Sequence, residues 1–578
     1  MTDILIKNGI IFDGTGQPSF TGDIAVTRDR ITDIGNLGNI PASLTIDASG
    51  LAVCPGFIDI HSHADFSIFQ NDHDSVLRPL VLQGITTVVG GNCGYSSCFM
   101  PESNRELAVA YLDNLSGQSQ NELINWNTPA QFMEHLDREG ILVNTATLVG
   151  HGSLRISSSG LVKRLLFPDE QKVMESYLEE CMEMGCMGMS SGLQYFPGLQ
   201  SDTEELSGLG SVLKKYAGIF TSHLRSYSHT LDLAIDEVCD VGERCGIRVQ
   251  ISHLYWQPYV RRMAGITRGL VRAGSFMYNR LKIPVPVERG LMPKISHIDR
   301  RRENGVDVSF DMVPSCQGFT ELLAFLPPCV SEGSREMALE RLRDKEYRKR
   351  VLHDIKNTEP VWPHRDGATW SFNYIKMTGW QGLRVMAVEK DNNRWMEGLT
   401  FPEIGYKLGA GPFDVLCDLL IDESGRVMVF HTPVQPDDPF VFRSMWAGFT
   451  HPRSVPATDT ILRPFGRPSH VFYDCFPRFI DYFVKQKGLL TFEEAVRKCT
   501  GLPAEIMGIR NRGLLNKGCY ADISILDPET LGTAADFHNP AIHPTGIMHV
   551  LINGVPVVSD GRMNSARRAG SVIRRGDS

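Results

Sequence analysis

The chain has 578 residues, of which 42% are hydrophobic and 22% are charged, so it is too long for one simple domain and unlike a disordered or fibrous protein. Its 58 Lys and Arg against 67 Asp and Glu give a net charge of −9, which offers no overall attraction for nucleic acid or an anionic membrane. We expect no membrane span and no secretory leader. The 13 cysteines, an odd number, favour reduced thiols and a cytoplasmic location.

Short strands separated by turns are predicted at both ends of the chain. Residues 1–55 alternate apolar and polar positions between Gly, Asn and Asp turns, which is typical of hairpins. The same alternation of apolar and polar residues is found at 521–526 and 549–558. There, Asn553-Gly554 between two apolar runs indicates a hairpin. The simplest arrangement packs both segments into one small β domain.

Eight apolar runs alternate with helix-like patterns in the middle of the chain. Strands are predicted at 56–59, 85–89, 142–149, 187–190, 218–221, 248–252, 306–310 and just before Asp459. Strands joined by helical crossovers favour a parallel (β/α)8 barrel. The stretch between the seventh and eighth strands is too long for one crossover, so we expect an extra helical subdomain or lid there.

One segment is strongly basic. Residues 254–302 hold eleven Lys or Arg but only Glu288 and Asp299 as acids, and they also contain several aromatic residues. The segment is either a solvated insertion after the sixth strand or a lid that contacts an anionic or aromatic substrate, since barrel enzymes build their sites from these connections.

Two histidines follow the first predicted strand. His61 and His63 stand two residues apart, so both side chains face the same side of an extended strand. Neutral imidazole is the commonest metal ligand in proteins. A pair alone is ambiguous, because histidines are also common as hydrogen-bonded core or surface residues.

Four other strand ends carry groups that suit the same role. Cys93 follows the second strand, His223 ends the fifth, His253 ends the sixth, and Asp459 fits the end of the eighth. Each of these residues also has an explanation without a functional role; a buried Cys, for example, usually packs as a small hydrophobic residue. Their coincidence at the edge where barrel enzymes build their sites favours a metal centre. A thiolate with imidazoles suits Zn²⁺ better than Mg²⁺ or Ca²⁺.

The chain resembles the D-aminoacylase (N-acyl-D-amino-acid deacylase) family of the amidohydrolase superfamily. The run Gly91-Asn92-Cys93-Gly94 is the most diagnostic, because most of the superfamily has a carboxylated lysine where this branch has a cysteine. The remaining resemblance is carried by segments 55–63, 84–90, 148–155, 189–197, 222–225, 248–253 and 500–528.

The resemblance implies an α/β fold, a distorted TIM-like (β/α)8 barrel with a small β-sandwich domain formed by both termini. Residues 1–55 would begin the β-sandwich. The catalytic barrel would span 56–495, with insertions at about 254–302 and 314–454. Residues 496–578 would supply the last barrel helix and complete the β-sandwich.

The resemblance also implies roles for the metal ligands. Cys93, His223 and His253 would bind one Zn²⁺ tightly, while His61 and His63 would line a second, weaker or optional metal position. Asp459 would be the catalytic carboxylate, which takes a proton from water and returns it to the leaving nitrogen.

Four residues are predicted to border the substrate. Arg225 corresponds to the arginine that helps to bind the substrate carboxylate, and Tyr195 to a pocket tyrosine. A plain surface role for Arg225 and a packing role for Tyr195 stay open. His151 belongs to the matched segment 148–155, and Tyr255 follows the sixth strand.

The predicted specificity pocket departs from the family pattern. Leu254-Tyr255 stands where the family usually has His-Lys after the sixth strand, and 311–315 reads Asp-Met-Val-Pro-Ser where Asp-x-Tyr-Pro-Tyr is usual. A cation and a phenol that would bind a substrate carboxylate are therefore missing from the expected positions.

We interpret the chain as a zinc-dependent amidohydrolase that cleaves a C–N bond of a small-molecule amide, with a bulkier or atypical N-acyl substrate. The alternatives are a hydantoinase-like enzyme that opens cyclic amides or imides, and a metal-binding scaffold without turnover. We expect neither nucleic acid nor a membrane as a partner, and the sequence leaves the oligomeric state open.

Overall fold

Eight parallel strands form a barrel at the centre of the protein. The structure, a computed structural model, describes residues 2–120, 123–363, 370–564 and 567–577. Because both faces of the strands are covered, almost all of their residues are buried, including several Thr and Ser. In chain order the strands are Phe57–Asp59, Ile85–Gly90, Asn144–Gly150, Gly188–Gly192, Ile219–His223, Arg248–Ile251, Val308–Met312 and Ser454–Pro456.

The barrel is nearly closed between its first and eighth strands. The seven consecutive strand pairs are hydrogen-bonded as a continuous sheet. Just beyond the first and eighth strands, the Asp459 amide donates to the His61 carbonyl oxygen and the His63 amide donates to the Thr460 carbonyl oxygen, both at 2.9 Å. The predicted distorted barrel is confirmed, and its closure joins the segments that carry three candidate site residues.

Helices surround the barrel, and two of them show how a helix end is capped. The helix Pro129–Glu139 begins at Thr128, whose hydroxyl accepts from the Gln131 amide in a capping box. The helix Leu231–Cys245 ends at Gly246 with φ +62°, a left-handed conformation that glycine adopts without strain. The others are His73–Val76, Arg78–Val81, Arg105–Ser116, His151–Ser159, Pro168–Glu183, Thr203–Lys215, Ala264–Asn279, Met292–Glu303, Val471–Ile480, Phe492–Cys499 and Gly501–Met507.

Both termini contribute to one mixed β-sheet, as predicted. Antiparallel pairing of Ala52–Pro55 with Ile523–Leu526 joins the two halves. The Asn553-Gly554 turn has φ of +48° and +74°, as a two-residue hairpin requires. The other seven strands are Thr2–Ile11, Phe20–Thr27, Arg30–Gly35, Ala42–Asp47, Ile547–Ile552, Val555–Ser559 and Arg562–Met563. A short strand, Val572–Ile573, pairs with the third barrel strand.

The chain between the seventh and eighth barrel strands forms a subdomain with its own apolar core, which includes Leu322, Val385, Phe401 and Leu416. An antiparallel sheet of Gly318–Glu321, Met428–His431 and Leu383–Ala387 lies at its centre. Residues 364–369 of the predicted insertion lie outside the described residues. Its helices are Arg335–Arg343, Lys345–Asn357, Tyr374–Thr378, Phe401–Leu408, Pro412–Asp422, Pro439–Ser444 and Trp446–Phe449.

No helix in the described part of the chain combines the length and the apolar character that crossing a membrane requires.

Candidate metal centre

Six side chains from five strand ends converge at one mouth of the barrel. One group of potential ligand atoms comes from His61, His63, Cys93 and Asp459, and a second from Cys93, His223 and His253. Within each group the ligand atoms lie within 4.8 Å of one another. These six are the residues that the sequence analysis singled out, and Cys93 belongs to both groups, so its sulfur lies at the centre of the site.

The distances inside the cluster match those between ligands of one metal ion. Cys93 Sγ lies 3.3 Å from His61 Nε2 and 3.5 Å from His253 Nε2. Asp459 Oδ1 lies 3.4 Å from Nε2 of both His61 and His63. Atoms that bind a tetrahedral Zn²⁺ at about 2.0–2.3 Å are roughly 3.3–3.8 Å from one another. The spacing therefore fits an ion of that size.

Three of the six residues have a strained backbone. Cys93, His253 and Asp459 adopt φ of +54°, +34° and +53°, in the left-handed region that costs a residue with a side chain roughly 1–2 kcal/mol. Such strain persists only where the surroundings impose it, and it is concentrated at functional sites. It brings side chains from separate strand ends towards one point.

The electrostatics favour the metal-binding protonation state at Cys93 and His223. Burial alone would raise the pKa of the Cys93 thiol, but the adjacent His61 and His253 hold it well below its ordinary value, which favours the thiolate. Burial, together with the neighbouring His253, lowers the pKa of His223 to about 4, so its ring is neutral near pH 7. A thiolate and a neutral imidazole are the forms that coordinate metal. At His61, His63 and His253 burial alone would lower the pKa, but the adjacent Cys93 thiolate and neighbouring carboxylates raise it.

Asp311, at the end of the seventh strand, orients two of the histidines. It is buried, and its carboxylate oxygens lie 3.2 and 3.3 Å from His61 Nδ1. It also accepts from the His253 amide at 2.7 Å and from Gln250 Nε2 at 3.2 Å. Holding one ring nitrogen directs the other at a metal and raises its basicity. Asp311 was not among the site residues predicted from the sequence, although its position at a strand end was a usable signal.

His223 has an unused lone pair in the site. Its Nε2 lies 3.0 Å from Gln194 Oε1, so this nitrogen carries the proton. Its Nδ1 is buried and has no hydrogen-bond partner among the described residues. A buried acceptor without a partner is costly unless something else satisfies it, and a bound cation would do so. The donor set of one thiolate, four imidazoles and one carboxylate fits Zn²⁺.

A large apolar cavity of about 470 Å³ opens beside the cluster. His63, Cys93, His223, His253 and Asp459 lie on its wall, and much of the rest is aromatic, including Tyr255, Trp256, Phe319, Phe325, Trp370 and Phe372. Among the described lining residues none is Lys or Arg, and Asp459 is the one carboxylate. The described lining of the cavity is therefore mostly apolar and aromatic.

Two of the four predicted substrate-binding residues line this cavity. Tyr195 is buried, and its hydroxyl accepts from Thr320 Oγ1 at 2.9 Å. Tyr255 stacks on Tyr227 with ring centres 4.6 Å apart. Val313 also borders the cavity. These side chains supply an apolar or aromatic surface next to the cluster.

The structure does not bring Arg225 to the cavity. The side chain is fully buried, and its Nε donates to both carboxylate oxygens of Glu237 at 2.8 and 3.0 Å. Its Nη1 donates to the Leu199 carbonyl oxygen at 2.9 Å, and its Nη2 to that of Ser201 at 2.5 Å. With all three nitrogens engaged, Arg225 braces the loop after the fourth strand.

His151 also lies away from the lining of the cavity. Its Nε2 is 2.8 Å from Glu205 Oε1, and Glu205 is paired with Arg155 as well. All three side chains are buried, so they form a charged network that links two barrel helices.

Comparisons with known proteins agree with the fold. The profile of a family described as the amidohydrolase family matches residues 450–558. The chain is 28% identical to the N-acyl-D-glutamate deacylase of Alcaligenes xylosoxydans xylosoxydans over 99% of this chain and 96% of that one. It is 29% identical to the N-acyl-D-aspartate deacylase of the same organism, over 100% and 95%.

A solved structure extends the likeness to three dimensions. The N-acyl-D-glutamate deacylase of Bordetella bronchiseptica, crystallised with zinc and a phosphonate that mimics the tetrahedral intermediate, is 26% identical with a TM-score of 0.72, and the match covers 99% of both chains.

The barrel, the terminal sheet and the ligand cluster define a metal-dependent amidohydrolase that acts on C–N bonds. Within that class, the chain is similar along its whole length to D-aminoacylase and to N-acyl-D-amino-acid deacylases.

Proposed function

We propose that this protein is a zinc-dependent hydrolase that cleaves the amide bond of a bulky, largely apolar N-acyl substrate and does not depend on a free carboxylate for recognition. The observation that carries the proposal is the cavity beside the ligand cluster. Its described lining is rich in aromatic side chains and includes no Lys or Arg.

The ligand roles follow from the donor chemistry. Cys93, His223 and His253 form the group proposed to bind one Zn²⁺ tightly, because they combine a thiolate with imidazoles. His61 and His63, with Asp459, form the group proposed for a second, weaker ion. When bound, Zn²⁺ supplies Lewis acidity that acidifies water and polarises the scissile carbonyl. Zinc in the crystallised deacylase supports this choice of metal.

Asp459 is proposed as the group that moves the proton. Its side chain is 14% exposed, towards the cavity, while the two histidines 3.4 Å from its Oδ1 are buried. A carboxylate in this position accepts a proton from water and delivers it to the departing nitrogen. An amide requires that delivery because its nitrogen leaves poorly as an anion.

The substrate class follows from the charges at the cavity. Two of the relatives are a D-glutamate and a D-aspartate deacylase, whose substrates by name carry extra carboxylates. Here Tyr255 and Val313 occupy the positions where the family pattern has a cation and a phenol, and Arg225 is paired with Glu237. A carboxylate buried without a cation loses hydration that nothing in the described lining replaces.

The hydantoinase-like alternative has less support. Enzymes of that kind usually use a bridging lysine on the fourth strand, and here this strand, Gly188–Gly192, reads Gly-Met-Ser-Ser-Gly. Cys93 supplies the central ligand from the second strand instead. Open-chain amide hydrolysis is therefore the favoured reaction.

The proposal is tested with metal-free protein, zinc and a panel of amides whose acyl groups increase in apolar bulk. We expect apoprotein to be inactive, zinc to restore hydrolysis, and kcat/KM to rise with bulk until the 470 Å³ cavity is filled. Zinc-loaded protein that favours acetyl over every larger acyl group would contradict the substrate class. Activity that survives metal removal would contradict the mechanism.

A further inference from the structure

The helix Ala264–Asn279 presents its apolar side to solvent. Its two buried residues, Thr267 and Ser275, are both polar. Leu270 is 68% exposed, Ile266 and Phe276 are each 57% exposed, and Met277 is 37% exposed. An ordinary surface helix does the opposite and buries its apolar stripe against the protein.

Specific polar contacts fix this inverted orientation. Ser275 Oγ donates to Asp438 Oδ2 at 2.6 Å, and Asn279 Nδ2 donates to Asp438 Oδ1 at 3.1 Å. Arg268 Nη1 donates to the Lys376 carbonyl oxygen at 2.5 Å. Gly274 packs against the Phe440 ring so closely that a Cβ there would lie 2.8 Å from a ring carbon. The apolar side therefore cannot turn inwards without loss of these contacts.

The exposed apolar side chains form one continuous stripe. Ile266, Leu270, Ala273 and Met277 follow one another at intervals of four, three and four residues, which places them on one face of a helix. Beyond the helix, Leu281 and Ile283 are 55% and 40% exposed. A contiguous apolar surface of this kind marks an interaction site more often than single exposed side chains do.

The same segment is strongly cationic. Residues 260–290, which we call the basic apolar segment, contain seven Lys or Arg and one acid, Glu288. Glu288 is paired with Arg443. Exposed cations flank the stripe at both ends, with Arg261 and Arg262 before the helix and Arg280 and Lys282 after it.

These charges decide between possible partners. Two copies of the chain meeting through this face would oppose cations to cations, which is unfavourable. An anionic lipid surface matches both properties, because apolar side chains enter the acyl boundary while Lys and Arg bind the headgroups. The segment also borders the cavity, since Leu270 and Val271 lie on the cavity wall.

We propose that the basic apolar segment is a docking surface for an anionic lipid bilayer. The whole-chain charge of −9 predicts no membrane attraction, but this local surface has the opposite sign. Docking would set the cavity wall beside the bilayer, where apolar amides concentrate. That consequence rests on the proposed function, whereas the docking itself does not.

The test uses the full-length, zinc-loaded protein and vesicles of phosphatidylcholine with or without about 30% phosphatidylglycerol, in sedimentation without substrate. We expect at least roughly tenfold stronger partitioning onto the anionic vesicles, weakening with salt. The variant I266S/F276S/M277S, which spares every cavity-lining residue, should lose at least roughly tenfold in partitioning. The variant R272Q/R280Q/K282Q should bind more weakly, and its binding should depend less on salt, since three of the seven cations are removed.

Leu408→Ser is the matched control, because Leu408 is 54% exposed on a helix of the other insertion. It should bind vesicles like the parent, and all variants should keep the parent's melting temperature. Failure of the parent to bind anionic vesicles, or unchanged binding by I266S/F276S/M277S, would overturn the proposal. A dimer in sedimentation velocity that this variant dissolves would assign the face to a second copy instead. None of these outcomes depends on turnover, so they are separate from failure of the proposed function.

Discussion

Asp311→Asn isolates the contribution of one carboxylate to the metal centre. In the structure Asp311 faces three donors: His61 Nδ1, the His253 amide and Gln250 Nε2. Asparagine has the same shape but one acceptor oxygen and one NH₂ group. If its oxygen accepts from the His253 amide, its NH₂ group faces the His61 ring and the Gln250 amide, so donors oppose donors.

The expected effect is on metal affinity. Residues that orient metal-bound histidines typically change affinity by about 10–100-fold when replaced, which corresponds to roughly 1.4–2.7 kcal/mol. Because Asp311 holds one histidine from each ligand group, we expect both metal positions to weaken. Activity at saturating zinc should recover in part, since the ligands themselves remain.

Zinc retention is measured by dialysis against chelators of graded strength followed by metal analysis. Asp307→Asn is the control, because Asp307 directly precedes the same strand but is exposed and paired with Arg453. It should retain zinc like the parent. If Asp311→Asn also retained zinc like the parent, Asp311 would not orient the ligands, and the role given to it here would be refuted.

Four further predictions concern single side chains. Metal analysis of Cys93→Ala should show that most of the bound zinc is lost. Full zinc occupancy in this variant would mean that the Cys93 thiol is only a buried hydrophobic group. Asp459→Asn should keep its metal while kcat falls by roughly 10²–10⁴-fold; near-normal turnover would assign the proton to another group. Arg225→Met leaves the buried carboxylate of Glu237 without its ion-pair partner. The free energy of unfolding, measured in denaturant titrations, should therefore fall by about 3–5 kcal/mol. Unchanged stability with a raised KM would instead indicate that Arg225 contacts the substrate. Burial raises the pKa of Glu321 from 4.5 to about 8, so the folded protein binds this proton more tightly than the unfolded chain and loses stability as pH rises between those values. Glu321→Gln should flatten that part of the melting-temperature profile, and parallel profiles would contradict the assignment.

Much of the fold was predictable because the barrel strands leave a strong pattern. Buried parallel strands read as continuous apolar runs, and all eight predicted strands overlap observed ones. The cluster was predictable for a related reason. Each of its residues follows such a run, and the ends of parallel barrel strands meet at one mouth.

The surroundings of the site could not be read in the same way. Arg225 and His151 are buried by pairing with Glu237 and Glu205, which stand 12 and 54 residues away. No local pattern distinguishes such a pair from a substrate-binding group. The left-handed backbone conformation at Cys93, His253 and Asp459 could not be predicted from the sequence either, because tertiary contacts and not residue type impose it.

The residues of the cavity wall could not be predicted from the sequence either. Trp370 and Phe372 come from the long insertion between the seventh and eighth strands, whose fold carries no barrel periodicity. The inverted helix Ala264–Asn279 has ordinary amphipathic spacing, and spacing alone does not tell which face meets solvent. The orientation follows from contacts with Asp438 and Phe440.

Whether recognition depends on a substrate carboxylate is tested most directly by comparing kcat/KM for an N-acyl aromatic D-amino acid with that for its carboxamide. A charge-assisted hydrogen bond contributes roughly 1.5–3 kcal/mol, and no described residue of the cavity lining is a Lys or Arg that could offer one. We therefore predict that the neutral carboxamide is preferred by at least about tenfold, equivalent to 1.4 kcal/mol. Arg365→Gln, which changes a cation outside the described residues and five positions before Trp370, should leave that ratio unchanged. A preference for the free acid would contradict the proposed substrate class, and loss of that preference in Arg365→Gln would show that the carboxylate site had moved and not been lost.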